Sequence, residues 1–378
     1  MNLRDDIKAE AARLGFTLCG ITSPATPVHY PVYEKWLSEG HLGTMAYLAT
    51  DRARQRRKNP SLILEDCQSI LTLGIRYPAP DEMPGDKTTE PRGKVASYAW
   101  GEDYHWVLPP RLDQLVNRLE KIIGGSFSQR SYTDTGPVLE RDLCQASGLG
   151  WIGKNTCLIS PTQGSYFLLA EIFLNAAIES DSPFVPDRCG SCTRCITACP
   201  THCILPDRTL DANRCISYLT IENKGSVERE LRPFMGNWIF GCDICQAICP
   251  WNMRFTRSDS DPAFTARPDV ANPALFTELN LTKEEFNRKF RRSPILRTKW
   301  RGYLRNVAVA IGNSKDADGV TALREALVSN PEPLVRGHAA WALGQIGTAA
   351  AILALENAQK YETDLAVSLE IESARSSF

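Results

Sequence analysis

The chain has 378 residues, a formal net charge of -1 and 43% hydrophobic residues. This length predicts two or three domains, each large enough to bury a core. The near-zero charge excludes a protein that is basic over its whole surface, but it allows a local basic face. No apolar run approaches the roughly 20 residues that a membrane-spanning helix needs.

The first 180 residues predict a catalytic domain of mixed helices and strands. An amphipathic N-terminal helix precedes a short strand, FTLCGIT, and SILTLGIRY from Ser69 predicts a second strand. VLPPRLDQLVNRLEKII predicts a helix that Gly124 ends, and QRSYTDTG predicts a strand that leads into a turn. NTCLISP and SYFLLAEIFLN are expected to form a hairpin closed by Gly164. No G-x-G-x-x-G follows a predicted strand, and no P-loop or nucleophile elbow is present, so the sequence does not indicate the usual nucleotide cofactors.

Two cysteine runs follow, CGSCTRCITACP from Cys189 to Pro200 and CDICQAICP from Cys242 to Pro250. In bacterial-type ferredoxins the run C-x2-C-x2-C-x3-C-P gives three thiolates to one [4Fe-4S] cluster and the fourth to another. The second run lacks its first cysteine, and Cys215 is the upstream thiol that would replace it. The predicted ligands of the first cluster are Cys189, Cys192, Cys195 and Cys249, and those of the second cluster are Cys199, Cys215, Cys242 and Cys245.

Zinc is the alternative for this pattern, because paired C-x2-C units also build tetrahedral sites. The close spacing of the first run and the Cys-Pro ending of both runs favour iron–sulfur clusters. We do not expect a disulfide framework, because the N-terminus has the pattern of an amphipathic helix and not of a signal peptide. The other cysteines, Cys203 among them, are expected to be small buried hydrophobic residues.

A basic segment, residues 283–305, comes next. Phe286, Phe290, Trp300 and Tyr303 interleave with its cations, a mixture that suits phosphate contacts and stacking on unpaired bases. A solvated helix whose aromatic residues face the core is an equal alternative. The candidate phosphate contacts are Lys283, Arg288, Arg291, Arg292, Arg297, Lys299 and Arg301, and the remaining cations of the segment are Lys289 and Arg305.

The C-terminal part carries a helical repeat. LRNVAVAIGNS from Leu304 recurs as VRGHAAWALGQIG from Val335, with Gly312 and Gly344 at matching positions. This pattern predicts HEAT-like repeats, which stack into a docking surface, with a plain helical bundle as the alternative. We therefore predict a multidomain α+β protein with a catalytic domain at 1–180, a ferredoxin-like double [4Fe-4S] domain at 181–265, and a basic linker with a HEAT-like docking domain at 266–378.

Motifs along nearly the whole chain resemble those of the epoxyqueuosine reductase family. They are LGTMAYL with RRKNP, SYAWGEDYH, DTGPVLER, GLGWIGKNT, both cysteine runs, RCISYLTIE, RPFMGNWIFGCDICQ and the HEAT-like end. The resemblance implies a nitroreductase-like α/β domain that binds base-off cobalamin. It also implies reduction of the epoxide of epoxyqueuosine to queuosine at the wobble position of tRNA, with electrons passing from an unidentified low-potential donor through the two clusters to cobalt.

Asp134 matches the proton donor of that family, a role that requires burial because an ordinary aspartate is ionised at neutral pH. Without the resemblance, an Asx-turn aspartate is the simpler interpretation. D-x-H-x-x-G marks cobalamin domains with a histidine ligand, but Leu108 replaces its glycine, so His105 is expected to line the pocket. Ser97 stands where some relatives have cysteine, so we expect no thiol contact to cobalt. The candidate cobalamin or substrate contacts are Arg57, Ser97, Tyr98, Tyr104, His105, Asp134, Arg141, Lys154 and Asn155.

Two other functions fit parts of the pattern. A cobalamin-dependent reductive dehalogenase shares the paired clusters and the corrin domain, but it usually has an export signal and acts on small organohalides. A ferredoxin-type electron carrier with a docking solenoid would need no corrin site. The lack of a signal-peptide pattern predicts a protein of the reducing cytoplasm, and we expect a monomer without membrane association.

Overall fold

The computed structural model describes residues 3–80, 90–255 and 260–376. The strands, β1 to β8 in chain order, are Leu18–Thr22, Ser69–Arg76, Lys94–Val95, Gln129–Tyr132, Trp151–Ile152, Leu158–Ile159, Phe167–Leu174 and Trp238–Phe240. The helices, α1 to α17 in chain order, are Leu3–Arg13, Tyr30–Ser38, Asp51–Lys58, Tyr104–Ile123, Glu140–Ala146, Arg194–Ala198, Ile216–Ile221, Ile244–Ala247, Pro250–Phe255, Pro268–Ala271, Leu275–Leu279, Lys283–Lys289, Lys299–Ser314, Val320–Ser329, Pro333–Ile346, Ala349–Gln359 and Leu365–Arg375. Within the described ranges, none of these helices has the length and hydropathy of a membrane span.

The chain forms two compact units, each assembled from separate stretches. The first unit comprises Met1–Glu82, Gly101–Asn213 and Asp243–Thr265, and the second comprises Met83–Trp100, Arg214–Cys242 and Ala266–Phe378. The units interleave along the chain, whereas the predicted domains are contiguous. The bounds of the three predicted domains and the nitroreductase-like character of the first stay predictions.

The first unit is built on a four-stranded antiparallel sheet with the strand order β1-β2-β7-β4. Strands β2 and β7 pair along their full length, from Ser69 opposite Leu174 to Arg76 opposite Phe167. Every residue of β2 is buried, because its nearly continuous apolar run can be covered on both faces. Helix α5 packs on β2 and β7, and α4 packs on β4 and β7. The predicted strands at FTLCGIT, SILTLGIRY and QRSY are confirmed.

The predicted hairpin closed by Gly164 is wrong. Strand β6 pairs with β5, and β7 pairs with β2 and β4. Between β6 and β7 there is a bridge from Ser160 to Gly164. The seven apolar residues of β7 bury more surface in the sheet centre than they would against a two-residue partner, so the sheet determines the pairing.

The second unit contains the helical repeat, in which α13, α15 and α17 pack successively. The two glycines of the repeat permit this close packing. A Cβ atom at Gly312 would lie 2.8 Å from the Cα atom of Ala342, and one at Gly344 would lie 2.9 Å from the Cβ atom of Ala374. The short β3 and β8 form a separate parallel pair in the same unit.

Candidate active site and cysteine pocket

Asp134 lies in the turn that follows β4. Its φ angle is 58°, in the left-handed region that aspartate tolerates better than most residues with a side chain. Gly136 lets the turn pass close to β4, because a Cβ atom there would lie 2.7 Å from the ring of Tyr132. The hydroxyl of Thr133 donates to the carbonyl of Leu169 at 2.8 Å and anchors the turn on β7. The backbone therefore holds Asp134 in a defined place.

The side chain of Asp134 meets the first turn of α4. The hydroxyl of Tyr104 donates to Oδ2 of Asp134 at 2.8 Å, and Nε2 of His105 lies 4.0 Å from the same oxygen. Nδ1 of His105 lies 2.8 Å from Oδ1 of Asp103, which also caps α4 by accepting from the backbone N–H of His105. Among the described residues, the carboxylate of Asp134 hydrogen-bonds to Tyr104 and not to its own turn, which disfavours the Asx-turn interpretation.

The protein alone does not supply the burial that we expected around Asp134. Its side chain is 66% exposed. The carboxylate therefore faces solvent on one side, where a substrate can reach it, and is held by Tyr104 on the other. Its role as an acid stays a prediction.

Two acids lie behind Asp134, the half-buried Glu140 and the buried Glu171, and the sequence analysis missed both. Oε1 of Glu140 accepts from the backbone N–H of Asp134 at 2.8 Å, and burial together with the nearby Asp134 carboxylate raises the pKa of Glu140 to about 7. Glu171, on β7, is 0% exposed, and in the described part of the chain neither of its carboxyl oxygens has a hydrogen-bond partner. Burial, with Glu140 nearby, raises the pKa of Glu171 well above its usual range. The signal for Glu171 was its position as an acid inside the apolar run FLLAEIFL, which indicates a buried carboxyl group.

Of the predicted cobalamin contacts, Tyr104 and His105 lie beside Asp134, with their rings stacked at a centroid distance of 4.1 Å. Arg57 is buried in α3 with its guanidinium 5.4 Å from the centre of the Tyr33 ring, and Arg141 is exposed. Ser97 and Tyr98 belong to the second unit.

The first predicted cluster site is a pocket in the first unit, which we call the cysteine pocket. It is lined by Cys189, Cys192, Cys195 and Cys249. The thiols surround a cavity, and within the described ranges no three Cys, His, Asp or Glu side chains converge as the ligands of one metal ion do. A [4Fe-4S] cluster binds four cysteines, the number that lines this cavity.

Cations and aromatic rings surround the cysteine pocket. Lys154, Arg188 and Arg194 also line it. Nζ of Lys154 donates to the carbonyl oxygens of Gly190 at 2.7 Å and Cys192 at 2.9 Å, so this lysine fixes the cysteine loop. Asn155 lines the same pocket. The structure thus places Lys154 and Asn155, both predicted as corrin or substrate contacts, beside the cysteines.

Trp151 lies beside the cysteine pocket and packs against part of its lining. It is 2% exposed and packs with Cys249, Phe184 and Trp251, the last at a ring-centroid distance of 4.9 Å. Its Nε1–H donates to Sγ of Cys189 at 3.4 Å. The sequence analysis missed this donor, although GLGWIGKNT contains it.

The second predicted ligand set has members in both units, so each is described separately. Cys199 and Cys245 lie in the first unit, and Cys215 and Cys242 lie in the second. Sγ of Cys199 lies 3.4 Å from Sγ of Cys203, and this hydrogen bond is the main reason that the pKa of the Cys199 thiol is lowered to about 5. The thiolate, which is the form that binds iron, is therefore favoured at Cys199.

The aromatic residues of the basic segment do not form a stacking surface, so that expectation is wrong. Phe286 is 1% exposed, and Phe290 and Tyr303 are 0% exposed. Their rings pack on each other with centroids 5.0–5.4 Å apart, and the indole N–H of Trp300 donates to the carbonyl of Leu281 at 2.7 Å. Burial of three large rings stabilises the unit more than exposure for a ligand would, which is the alternative that the sequence left open.

The cations of the segment separate into exposed and buried sets. All seven candidate phosphate contacts are exposed. Arg297 forms an ion pair with Glu222 at 2.9 Å, and Arg301 lies 3.9 Å from Glu332. The other two are structural: Lys289 pairs with the buried Glu278, and Arg305, 0% exposed, donates to carbonyl oxygens of the second unit.

Comparisons with known proteins agree with this arrangement. Three family models match: Epoxyqueuosine reductase QueG, DUF1730, over residues 57–135; the 4Fe-4S double cluster binding domain over residues 188–252; and HEAT repeats over residues 295–374. The epoxyqueuosine reductases of Xanthomonas campestris and Pseudomonas aeruginosa are 40% and 37% identical to this chain, over 90% and 91% of its length and 95% of each relative.

Solved structures agree as well. A crystal structure of epoxyqueuosine reductase with a tRNA-Tyr epoxyqueuosine-modified stem loop has a TM-score of 0.92 at 33% identity, over 99% of this chain and 98% of that one. The Bacillus subtilis enzyme, with its catalytic aspartate loop swung out of the active site, has a TM-score of 0.90 at 32% identity, over 100% and 99% of the two chains. These likenesses favour the epoxyqueuosine reductase interpretation over a dehalogenase or an electron carrier.

Proposed function

Because this chain belongs to the epoxyqueuosine reductase family, we propose that it reduces the epoxide of epoxyqueuosine at the wobble position of tRNA, with Asp134 as the proton donor. The observation that carries this mechanism is the hydrogen bond from Tyr104 to Asp134. The reaction consumes two electrons and two protons, breaks both carbon–oxygen bonds of the epoxide, and forms a carbon–carbon double bond and water.

Asp134 would act when the epoxide opens. The departing oxygen develops alkoxide charge, and a positioned acid that donates a proton to it lowers the barrier. Tyr104 holds Oδ2 of Asp134, which leaves Oδ1 to meet the substrate. A bound substrate would cover the exposed side of the carboxyl group, and the loss of solvent favours its neutral, proton-bearing form. A catalytic loop that carries an aspartate in the Bacillus subtilis relative supports this assignment.

The electrons would come through the two clusters to cobalamin. Cobalamin, when bound, would supply a strongly reducing cobalt centre to the epoxide. A pocket without a protein ligand to cobalt is supported by Leu108, which replaces the glycine of the D-x-H-x-x-G motif in this chain. We assign Tyr104 and His105 to its wall, with Arg57, Ser97, Tyr98 and Arg141 as further contacts of a nitroreductase-like domain.

The tRNA would be held by the basic segment. Its seven exposed cations, Lys283, Arg288, Arg291, Arg292, Arg297, Lys299 and Arg301, can reach phosphates without breaking the core, since the buried cations are separate residues. The tRNA stem loop in a related structure supports this substrate class. Because tRNA modification takes place where tRNA is made and used, we assign the enzyme to the cytoplasm. We also propose that it is a monomer.

The deciding experiment uses the full chain, reconstituted anaerobically with iron, sulfide and cobalamin, a chemical reductant, and tRNA from cells that lack this protein. Mass analysis of the nucleosides should show epoxyqueuosine replaced by a product lighter by one oxygen atom. A tRNA without a queuosine-type anticodon is the matched control. Unchanged epoxyqueuosine in a sample that holds both cofactors and binds the tRNA would reject the proposal.

A further inference from the structure

At each predicted cluster at least one ligand sulfur contacts a side-chain donor outside the ligand set, and a longer contact of 3.6 Å joins the Thr201 hydroxyl to Sγ of Cys199. At the first cluster, Nε1–H of Trp151 donates to Sγ of Cys189 at 3.4 Å. At the second, Sγ of Cys203 lies 3.4 Å from Sγ of Cys199. These four residues all belong to the first unit. The two contacts have the same length but different donor chemistry, an indole in one case and a thiol in the other.

The direction of both hydrogen bonds follows from the chemistry of the ligands. A cysteine bound to iron is a thiolate and has no proton, so Cys203 must donate to Cys199. The indole N–H of Trp151 can only donate. Cys203 is 4% exposed and Trp151 is 2% exposed, so water competes little with either bond. Such hydrogen bonds are stronger than neutral ones because the acceptor is charged.

We propose that Trp151 and Cys203 are positioning residues that each set the reduction potential of one cluster through a hydrogen bond to a ligand sulfur. An added electron increases the negative charge that the sulfur ligands share, so the bond stabilises the reduced cluster more than the oxidised one and raises its potential. Removal of either donor therefore makes that cluster harder to reduce. This inference rests on the cluster ligands assigned in the proposed function.

The surroundings of Trp151 make its donor specific. Phe184 stacks on the Trp151 ring with centroids 5.7 Å apart, and Trp251 meets it edge-on at 4.9 Å. The indole therefore cannot turn its N–H away from Cys189 without disturbing this packing. An apolar wall alone would disfavour the more highly charged, reduced cluster, and the N–H offsets that effect.

The test measures reduction potentials of the full-length protein by anaerobic potentiometry followed by electron paramagnetic resonance. We would compare the parent with Trp151→Phe, Cys203→Ala and Cys203→Ser. Trp151→Phe keeps an aromatic ring without the N–H, and Cys203→Ser keeps a hydrogen-bond donor. Cys203→Ala should lower one potential and Trp151→Phe the other, each by about a tenfold change in the reduction equilibrium, or about 59 mV for one electron. Cys203→Ser should stay nearer to the parent than Cys203→Ala.

Iron content separates the possible outcomes. A parent protein that holds two clusters while both potentials stay unchanged in all variants would overturn this inference and leave the proposed function intact. A shift of the same potential by both variants would reject the assignment of one donor to each cluster. Loss of iron in Cys203→Ala would show that Cys203 is itself a ligand and would also overturn it. A parent without iron–sulfur clusters would instead reject the proposed function. If Trp151→Phe fails to fold, the comparison of Cys203→Ala with Cys203→Ser still decides the inference for the second cluster.

Discussion

The cysteine pocket and the Asp134 site show two different ways in which a chain specifies chemistry. In the pocket, four thiols line a single cavity. The sequence predicted them as one set, from three closely spaced cysteines and one later cysteine. At Asp134, the groups that define the site come from separate places: Tyr104 from α4, Glu140 from α5 and Glu171 from β7. A thiol is suited to bind iron by its own nature, whereas a carboxyl group becomes an acid or a base through its neighbours.

The largest expected effect tests that dependence on neighbours. Asp134→Asn keeps the shape and can still accept the hydrogen bond from Tyr104, but it cannot donate the catalytic proton. Turnover should fall by about 10²-fold or more, the usual range for general acid catalysis, while cobalamin and tRNA still bind. Single-turnover conversion of epoxyqueuosine measures this effect.

Tyr104→Phe is the companion variant for Asp134. It leaves the acid in place and removes only the hydrogen bond that orients it, so we expect a loss of roughly tenfold, below that of Asp134→Asn. Near-normal conversion by Asp134→Asn would remove this residue from the mechanism. Equal losses in the two variants would mean that the hydroxyl of Tyr104 matters as much as the proton of Asp134.

The basic segment extends the comparison, because its cations have the same charge but different surroundings. Replacement of the exposed Arg288 and Arg291 by glutamine should weaken tRNA binding by roughly tenfold at low salt and reduce the salt slope by about 0.7–0.9 for each lost phosphate contact. The matched control replaces Arg118 and Lys121, which are exposed on α4, by glutamine. Filter binding at several salt concentrations measures both quantities.

Iron and cobalamin contents should stay constant in these charge variants. Equal affinity and equal salt slope for the parent and Arg288→Gln/Arg291→Gln would place the RNA-binding face elsewhere. A loss of the same size in the Arg118 and Lys121 control would show that only net charge matters.

The predicted cluster ligands lead us to expect a twofold change in iron content. Cys215→Ala removes one predicted ligand of the second cluster, so iron should fall toward half of the about eight atoms that two [4Fe-4S] clusters contain. Cys203→Ala is the control and should retain the full amount. Iron and sulfide analysis of anaerobically purified protein checks this, and about eight iron atoms in Cys215→Ala would show that the ligand assignment is wrong.

The smallest effect concerns the acids behind Asp134. Since burial raises the pKa of Glu140 from 4.5 to about 7, the folded state holds a proton there that the unfolded state releases. The contribution of Glu140 to stability is therefore fully present below about pH 4.5 and is lost as the pH rises toward about 7. Glu140 is only partly buried, so we expect a loss on the order of 1 kcal/mol.

Glu140→Gln should remove most of this pH dependence while keeping an oxygen that can accept from the backbone of Asp134. Urea unfolding at pH 5 and pH 7.5 measures it. The free energy of unfolding should fall less between the two pH values in the variant than in the parent. The same slope in both proteins would show that Glu140 does not hold the proton in the folded state.

Much of the fold was predictable because it depends on local pattern. The strand at SILTLGIRY, the end of α4 at Gly124 and the glycines of the helical repeat follow from apolar periodicity and backbone conformation. The partner of β7 was not predictable, because neighbouring segments suggest a hairpin while the buried sheet offers a longer surface.

By itself, the sequence determined the cysteine pattern, the family motifs and the order of the helices and strands, since these depend on residue type and spacing. Tertiary structure decided which cations stay exposed, which aromatic rings enter the core, that Lys154 serves the cysteine loop, and that Trp151 and Cys203 lie against ligand sulfurs. The physical reason is that burial and hydrogen bonding depend on residues far apart in the chain, which only folding brings together.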